Sequence, residues 1–517
     1  HNVGRGGKRK IGNYDLVPKR PDILALTELD PIDDGGFTGQ HIQTIMNNIY
    51  GSEGAVYNRV QIPAGNYEDY AFVYDQTKVQ LLGTETVYIG YRPAHRGHFR
   101  PVGYDSAGSD FYVYNVHLKA YPGFEGTRAG EVSAMLWQAP GCAQDLPEDA
   151  NLMYVGDFNL TTPGGEPAYD YLLQAEFAGN PSHGQAFDPG PDYQYGDAAP
   201  GPDCTYSSGG PWSRIDFQFP STELGDGEGM DLIPGAYEAW GNEYNLQQYY
   251  PDPQFCSDHL PIVADYQMPA KMEASVLGWD LKAIVGAADA TVDVEVENAA
   301  PVVAVSGADE LDYTIDGSAV QGPVTGVDPA LGGGQIEQVP LDASTVGSFF
   351  RNVTVESDSP AVQDGSFSQN VPYTVLDHAE ASFDDSADQN MLTIDFGTVA
   401  QGSDADDVAF ALHNLVTTAS YTAKLDLTGI SGTGDTDALT TNAALFEDLA
   451  AGDFLSFLAS LDTSGLGTFS AMWTFENADE DLPGGLAGDD LVLMLSADVA
   501  LAGDANRDGT VNIDDIN

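Results

Sequence analysis

Five short segments of this chain each end an apolar, strand-like run with acid, amide or imidazole groups. They are ILALTELD, reaching Glu28; YNVHLKAY, around His117; MYVGDFNL, around Asp157 and Asn159; SRIDFQF, around Asp216; and CSDHLPIVADY, around Asp258 and His259. In the three middle segments the polar residues fall two apart: Asn115 and His117, Asp157 and Asn159, Arg214 and Asp216. On a strand that spacing puts both side chains on one face, while Val116, Phe158 and Ile215 turn to the other and pack. Carboxylates such as Glu28 and Asp258 suit a hard cation like magnesium, which keeps several waters and takes few protein ligands. Imidazoles such as His117 and His259 exchange protons near neutral pH. Asp157, at the end of a buried run, is placed to accept a proton from water or to serve as a further ligand, and Asn159 to donate a hydrogen bond to an anion.

These groups need a scaffold of strands, and residues 1–268 supply the pattern. Apolar strand-like runs alternate with helix-like stretches such as Thr127 to Gln138, as in a layered α/β domain. Gly-, Pro- and Asp-rich connections, notably Asn180 to Pro211, are expected to shape a cleft.

The order and wording of the five segments resemble the endonuclease/exonuclease/phosphatase superfamily, whose members include pancreatic-type deoxyribonuclease, abasic-site endonucleases and bacterial sphingomyelinases. The resemblance covers residues 1–268 and implies a four-layer α/β sandwich of deoxyribonuclease I type. It also implies magnesium (or manganese) held chiefly by Glu28, the two imidazoles acting at the reacting phosphate, and Asp216 orienting His259. The stretch NYEDYAFVY resembles the family segment whose glutamate orients the other histidine, which nominates Glu68. HFRPVGY resembles the segment that supplies an arginine to the cleft, nominating Arg100. HNV at the start resembles the end of the family's first strand, making Asn2 a phosphate or metal-site residue. Asn115 is taken with it as a substrate contact. Thr27 stands where the family usually has glutamine.

Charge bounds the substrate. The chain has 19 Lys and Arg against 79 Asp and Glu, a net charge of −60. Such an excess of acid is common in secreted or salt-adapted proteins and opposes diffuse binding of nucleic acid, so a polyanion must be gripped locally. The basic loop GRGGKRK, with Arg5 and Lys8, is the expected grip. Cys142, Cys204 and Cys256 lack the paired spacing of a zinc site, and Cys204 with Cys256 would make a rim disulfide in an exported chain. No apolar run is long enough to span a membrane and no signal peptide is visible. The chain reads as starting inside a strand.

Beyond Asp265 the composition shifts to Val, Thr, Ala, Asp and Gly with short alternating runs, the pattern of β-sandwich modules. LDASTVGSFFRNVTVESDS from Leu341 matches LDTSGLGTFSAMWTFENAD from Leu461, and looser upstream matches end in Asn298 and Asn414. Two tandem sandwiches are therefore expected, at 272–380 and 381–501, as spacers or adhesion modules. At 502–517, GDANRDGTVNIDDIN places Asp504, Asn506, Asp508, Thr510, Asn512 and Asp515 at calcium-loop spacing with Gly509 at the turn. That loop resembles half of a type I dockerin and implies bound calcium and a cohesin-type or cell-surface partner; the second loop is missing.

The expectation is thus a multidomain, secreted or cell-surface, metal-dependent phosphodiesterase acting on extracellular DNA or RNA. A phospholipid or sugar-phosphate phosphoesterase of sphingomyelinase type is the alternative within the same chemistry. A non-catalytic surface or scaffold-binding protein is the alternative from another class.

Overall fold

The computed structural model describes residues 20–29, 38–63, 68–160, 165–173, 183–190, 205, 214–239, 259, 261–316, 322–504, 509–512 and 515. Alternation along the strands of the first half sorts their side chains into layers. The elements are β1 (Ile23–Leu29), α1 (Thr38–Tyr50), β2 (Tyr57–Pro63), β3 (Asp69–Asp75), β4 (Val79–Val87), β5 (Ala94–Pro101), β6 (Phe111–His117), α2 (Glu125–Ser133), β7 (Asn151–Asp157), α3 (Pro167–Leu173), β8 (Asp216–Pro220), β9 (Glu238–Ala239) and β10 (Ile262–Val263). One sheet has the order β1-β3-β2, and a second has the order β4-β5-β6-β7-β8. Within the second, only β6 and β7 run parallel.

Odd-numbered residues of β6 and β7 (Phe111, Val113, Met153, Val155) pack with Ile23, Ala25, Phe72 and Tyr74 between the two sheets. Even-numbered ones (Tyr114, Val116, Leu152, Tyr154) pack with Phe217, Phe219, Val132 and Leu172 beneath α2 and α3. On α1, Ile42, Met46 and Tyr50 recur at four-residue spacing and cover Leu24, Leu26, Ala71 and Val73 on the outer face of the first sheet. The layers therefore run helix, sheet, sheet, helix. Phe158 sits fully buried with Phe217 and Phe219 edge-on to its ring at 5.9 and 5.0 Å. This packing fixes the end of β7 where Asp157 lies.

Strand sense then decides what meets. The C-terminal ends of β1, β4, β6 and β7 lie together with the N-terminal ends of β3, β5 and β8. His117 pairs in register with Asp157, and Asp157 with Asp216.

Among the described residues the second half holds four more sheets. A three-stranded sheet (272–277, 291–298, 335–340) faces a five-stranded one whose strand order is 281–284, 366–376, 347–357, 311–315, 324–328. Further on, a four-stranded sheet accompanies a five-stranded one ordered 391–400, 491–500, 467–479, 425–434, 446–449. In both five-stranded sheets the first pairing is parallel and the rest antiparallel. Each half has its own apolar core. The matched segments from Leu341 and Leu461 occupy the same central place in these sheets, and Asn298 and Asn414 are both buried with their amides donating to backbone carbonyls.

Among the described residues no helix is long and apolar enough to cross a membrane.

Candidate active site

Two carboxylate–imidazole pairs face each other across Asp157. His117 Nδ1 lies 3.1 Å from Glu68 Oε2, and its Nε2 lies 3.3 Å from Glu28 Oε1 and 3.5 Å from Asp157 Oδ2. His259 Nδ1 lies 2.7 Å from Asp216 Oδ2. The ligand atoms of Asp157, Asp216 and His259 fall within 4.8 Å of one another, as do those of Glu28, Glu68 and His117. Side chains from six separated segments thus converge at one end of the two sheets.

Local backbone accounts for several placements. Glu28 would point away from His117 by simple alternation, but β1 carries a register shift after Leu26 and Glu28 adopts φ +53°. That bulge re-aims the carboxylate into the site. Asn159, at φ +50°, returns its backbone N–H to Asp157 Oδ1 at 2.8 Å and its amide to the Leu118 carbonyl at 3.1 Å. An amide has a second N–H, so Asn159 can hold Asp157 and still donate to an anion. Thr205 Oγ1 accepts the backbone N–H groups of Ile215 and Asp216, which fixes the start of β8.

Burial raises the Asp157 carboxyl to about 7, Asp216 adds to the rise, and His117 and His259 oppose it. Burial disfavours the His117 imidazolium, yet the Glu68 hydrogen bond and the charges of Asp157, Glu68 and Glu28 outweigh it and raise the ring's pKa. Burial likewise pushes against a charged Glu68, but His117 and Arg92 lower its pKa on balance. Four carboxylates therefore crowd a site whose described basic side chains are Arg92 and the two imidazoles. A divalent ion fits this donor set: Glu28, the most exposed of the acids, and Asp157 present oxygens toward common ground. Glu68 belongs to the same group of potential ligands as Glu28 and His117, with one oxygen beside His117 and the other paired with Arg92.

Of the residues nominated from sequence, Glu28, Glu68, His117, Asp157, Asn159, Asp216 and His259 are brought together. Asn2, Arg5, Lys8, Asp258, Cys204 and Cys256 lie outside the described residues, as do Asn506 and Asp508 of the C-terminal loop. In that loop Asp504 Oδ2 accepts the Gly509 N–H at 2.8 Å, Asn512 donates its amide to Thr510, and Asp515 accepts the Asn512 N–H. Cys142 is buried as a free thiol.

Two nominations are corrected. Arg100 sits at the far end of β5, six residues along from the site end at Ala94, or roughly 20 Å at strand rise. There it is ion-paired with Asp110 and bonded to the Asp105 carbonyl. Asn115 is fully buried and donates to the Leu26 carbonyl at 2.9 Å, so it ties β1 to β6 and does not reach substrate.

The arginine that reaches the site is Arg92, on the β4–β5 loop, paired with Glu68 and donating to the Leu118 carbonyl at 3.3 Å. The sequence signal was YRPAHR ahead of β5, whose antiparallel sense places its beginning, not its end, beside His117. Tyr70 and His95 line the floor, fully buried with ring centroids 4.7 Å apart; desolvation holds His95 neutral, its pKa lowered to about 4.

No family profile and no curated protein matches the chain. Solved structures similar to it include an endonuclease/exonuclease/phosphatase from Bacteroides vulgatus, 17% identical, covering 50% of this chain and 90% of that one with TM-score 0.34. The human Nocturnin catalytic domain with bound sulfate is 17% identical, covering 49% and 83%, with TM-score 0.34. A mannosyl-6-phosphatase from Bacteroides thetaiotaomicron is 16% identical, covering 48% and 87%, with TM-score 0.30. At these scores the likenesses carry no weight in assigning the site, which rests on the contacts above.

Proposed function

We propose that the first half of the chain is a metal-dependent phosphodiester hydrolase acting on nucleic acid, exported with its β-rich second half as a spacer or adhesion segment. The division at residues 268, 380 and 501, magnesium as the ion and calcium at the C-terminal loop are part of this proposal. The observation that carries it is the pair of carboxylate–imidazole dyads, Glu68–His117 and Asp216–His259, facing across a buried Asp157.

A magnesium ion held by Glu28, with Asp157 and Asp258 as the remaining candidate oxygens, would neutralise charge on the phosphoryl group. The chain's own groups do the rest. Asp216 accepts from His259 Nδ1, leaving the Nε2 side of the ring as the base that takes a proton from the attacking water. The water oxygen bonds to phosphorus as the bond to the leaving oxygen breaks. His117, kept protonated by Glu68 and its acidic surroundings, hydrogen-bonds the developing negative charge and supplies the leaving oxygen's proton. Asn159 and Arg92 donate to non-bridging oxygens, the role expected of fixed donors around a charge-dispersed transition state.

Purified protein assayed against plasmid DNA, RNA and small phosphodiesters, with magnesium and with chelator, tests the reading. Magnesium-dependent cleavage of DNA or RNA is expected. Hydrolysis of a small phosphodiester with both nucleic acids left intact would replace it with the small-phosphoester alternative, and no turnover of anything would end it.

A further inference from the structure

An aromatic and cationic rim stands beside the site on two loops. Tyr91 and Tyr121 are 65% and 71% exposed, and Phe124 is 40% exposed. The Lys119 ammonium, two residues beyond His117, lies 4.6 Å from the Tyr91 ring centroid and 4.7 Å from that of Phe124. Among the described residues Lys119 has no carboxylate partner, in contrast to Arg96, Arg100, Arg128 and Arg214, each paired with an acid. In a chain this acidic, an unneutralised cation sandwiched by exposed rings is a placed feature.

The rim is also held rigid from below. Glu131, buried on α2, accepts the backbone N–H of Lys119 at 2.9 Å and that of Tyr91 at 3.3 Å, so one carboxylate joins both loops. Arg128, fully buried and doubly bonded to Glu166 at 2.8 Å, donates to the carbonyls of Lys119 and Tyr121 at 3.0 Å. Tyr121 is held at φ +81°, a region that a bulky side chain occupies only when its surroundings force it.

We infer that this rim is a stacking platform for unpaired bases flanking the scissile phosphate, so that the substrate is single-stranded nucleic acid. The inference deepens the proposed phosphodiesterase activity and rests on it. Every base offers a flat face to an aromatic ring, and cations among the rings suit the backbone phosphates between bases. A duplex keeps its base faces stacked inside and cannot use the platform. Interfacial membrane sites also combine aromatic rings with basic side chains, so binding to vesicles is read as a separate outcome of the test.

Wild type, Tyr91→Ala and Tyr121→Gly are to be compared, glycine being chosen because it adopts positive φ without strain. The probes are a labelled ten-residue oligothymidylate, the same oligomer with abasic tetrahydrofuran units in place of its nucleosides, and the oligothymidylate annealed to its complement. Affinity is read by fluorescence anisotropy with chelator present, and KM by turnover with magnesium. Wild type is expected to prefer the base-bearing single strand about tenfold over both other probes, and each variant to lose most of that preference while kcat holds. Equal affinity for thymidylate and abasic strands, a preference retained in both variants, or variants that lose only binding to phosphatidylcholine vesicles would each overturn the inference. Absence of turnover with a persisting base preference would instead defeat the proposed activity and leave the platform as a binding surface.

Discussion

At the residue scale, His117 carries the most exacting demand. Burial opposes its charged form, while Glu68, Asp157 and Glu28 favour it, and the balance lies toward the imidazolium. A raised histidine pKa supplies an effect present at low pH and lost as pH rises through the folded-state value. Glu68→Gln keeps a hydrogen-bond acceptor but removes the charge, so the alkaline limb of the kcat profile is expected to move to lower pH, measurable by initial rates across pH 5–9. An unmoved limb would take His117 out of the acid role. The seven residues that converge were legible because each borders an apolar run in a short, ordered set of strings. Arg92 was not, because two arginine-bearing strings flank β5 and only the strand's sense says which end meets His117.

At the scale of elements, the bulge in β1 and the crowding of β6 against β7 hold the acids in place. Glu28 at φ +53° sits in a conformation that glycine prefers. Glu28→Gly is therefore expected to match or exceed the wild-type melting temperature while losing magnesium-dependent turnover; a large drop in melting temperature would show that the bulge does not carry strain. Gly156 is the opposite case. At φ +128° a Cβ there would lie 2.1 Å from the Val116 carbonyl oxygen, inside the β6–β7 pairing. Gly156→Ala is expected to cost about 1–3 kcal/mol or more in unfolding free energy, as overpacking and strain do, read by denaturant titration. Strand existence was readable from apolar alternation and Gly-Asp-Phe-Asn turns. The bulge was not, since ILALTELD contains no glycine or proline to announce it.

At the scale of the whole molecule, the α/β region is fastened to the β-rich half through specific polar contacts. Gln363 accepts the backbone N–H groups of Asp105 and Ser106 and donates to the Asp105 carboxylate, and Tyr104 donates to the Pro269 carbonyl. Asp309 accepts the Gly229 N–H at 2.6 Å, and burial, with Glu310, Glu228 and Asp231 nearby, raises its carboxyl to about 7. A carboxyl raised in the fold binds its proton more tightly folded than unfolded, so its contribution is complete below the ordinary carboxylate range and is lost as pH climbs toward 7. Melting temperature is expected to fall between about pH 4 and 7, and Asp309→Asn to flatten that slope; an identical slope in the variant would assign the dependence elsewhere. The internal match between Leu341 and Leu461 was visible in the sequence. The seam was not, because Gln363 and Asp309 acquire partners some 260 and 80 positions away.

The central claim is that His117 and His259 act on one phosphate. Initial rates of magnesium-dependent phosphodiester hydrolysis by wild type, His117→Ala, His259→Ala and the double variant test it directly. Each single change should cost on the order of 10²–10⁴ in kcat, and the double should lose little more than the worse single, as for groups that work as a unit. Losses that multiply, or either single variant turning over at the wild-type rate, would contradict the account.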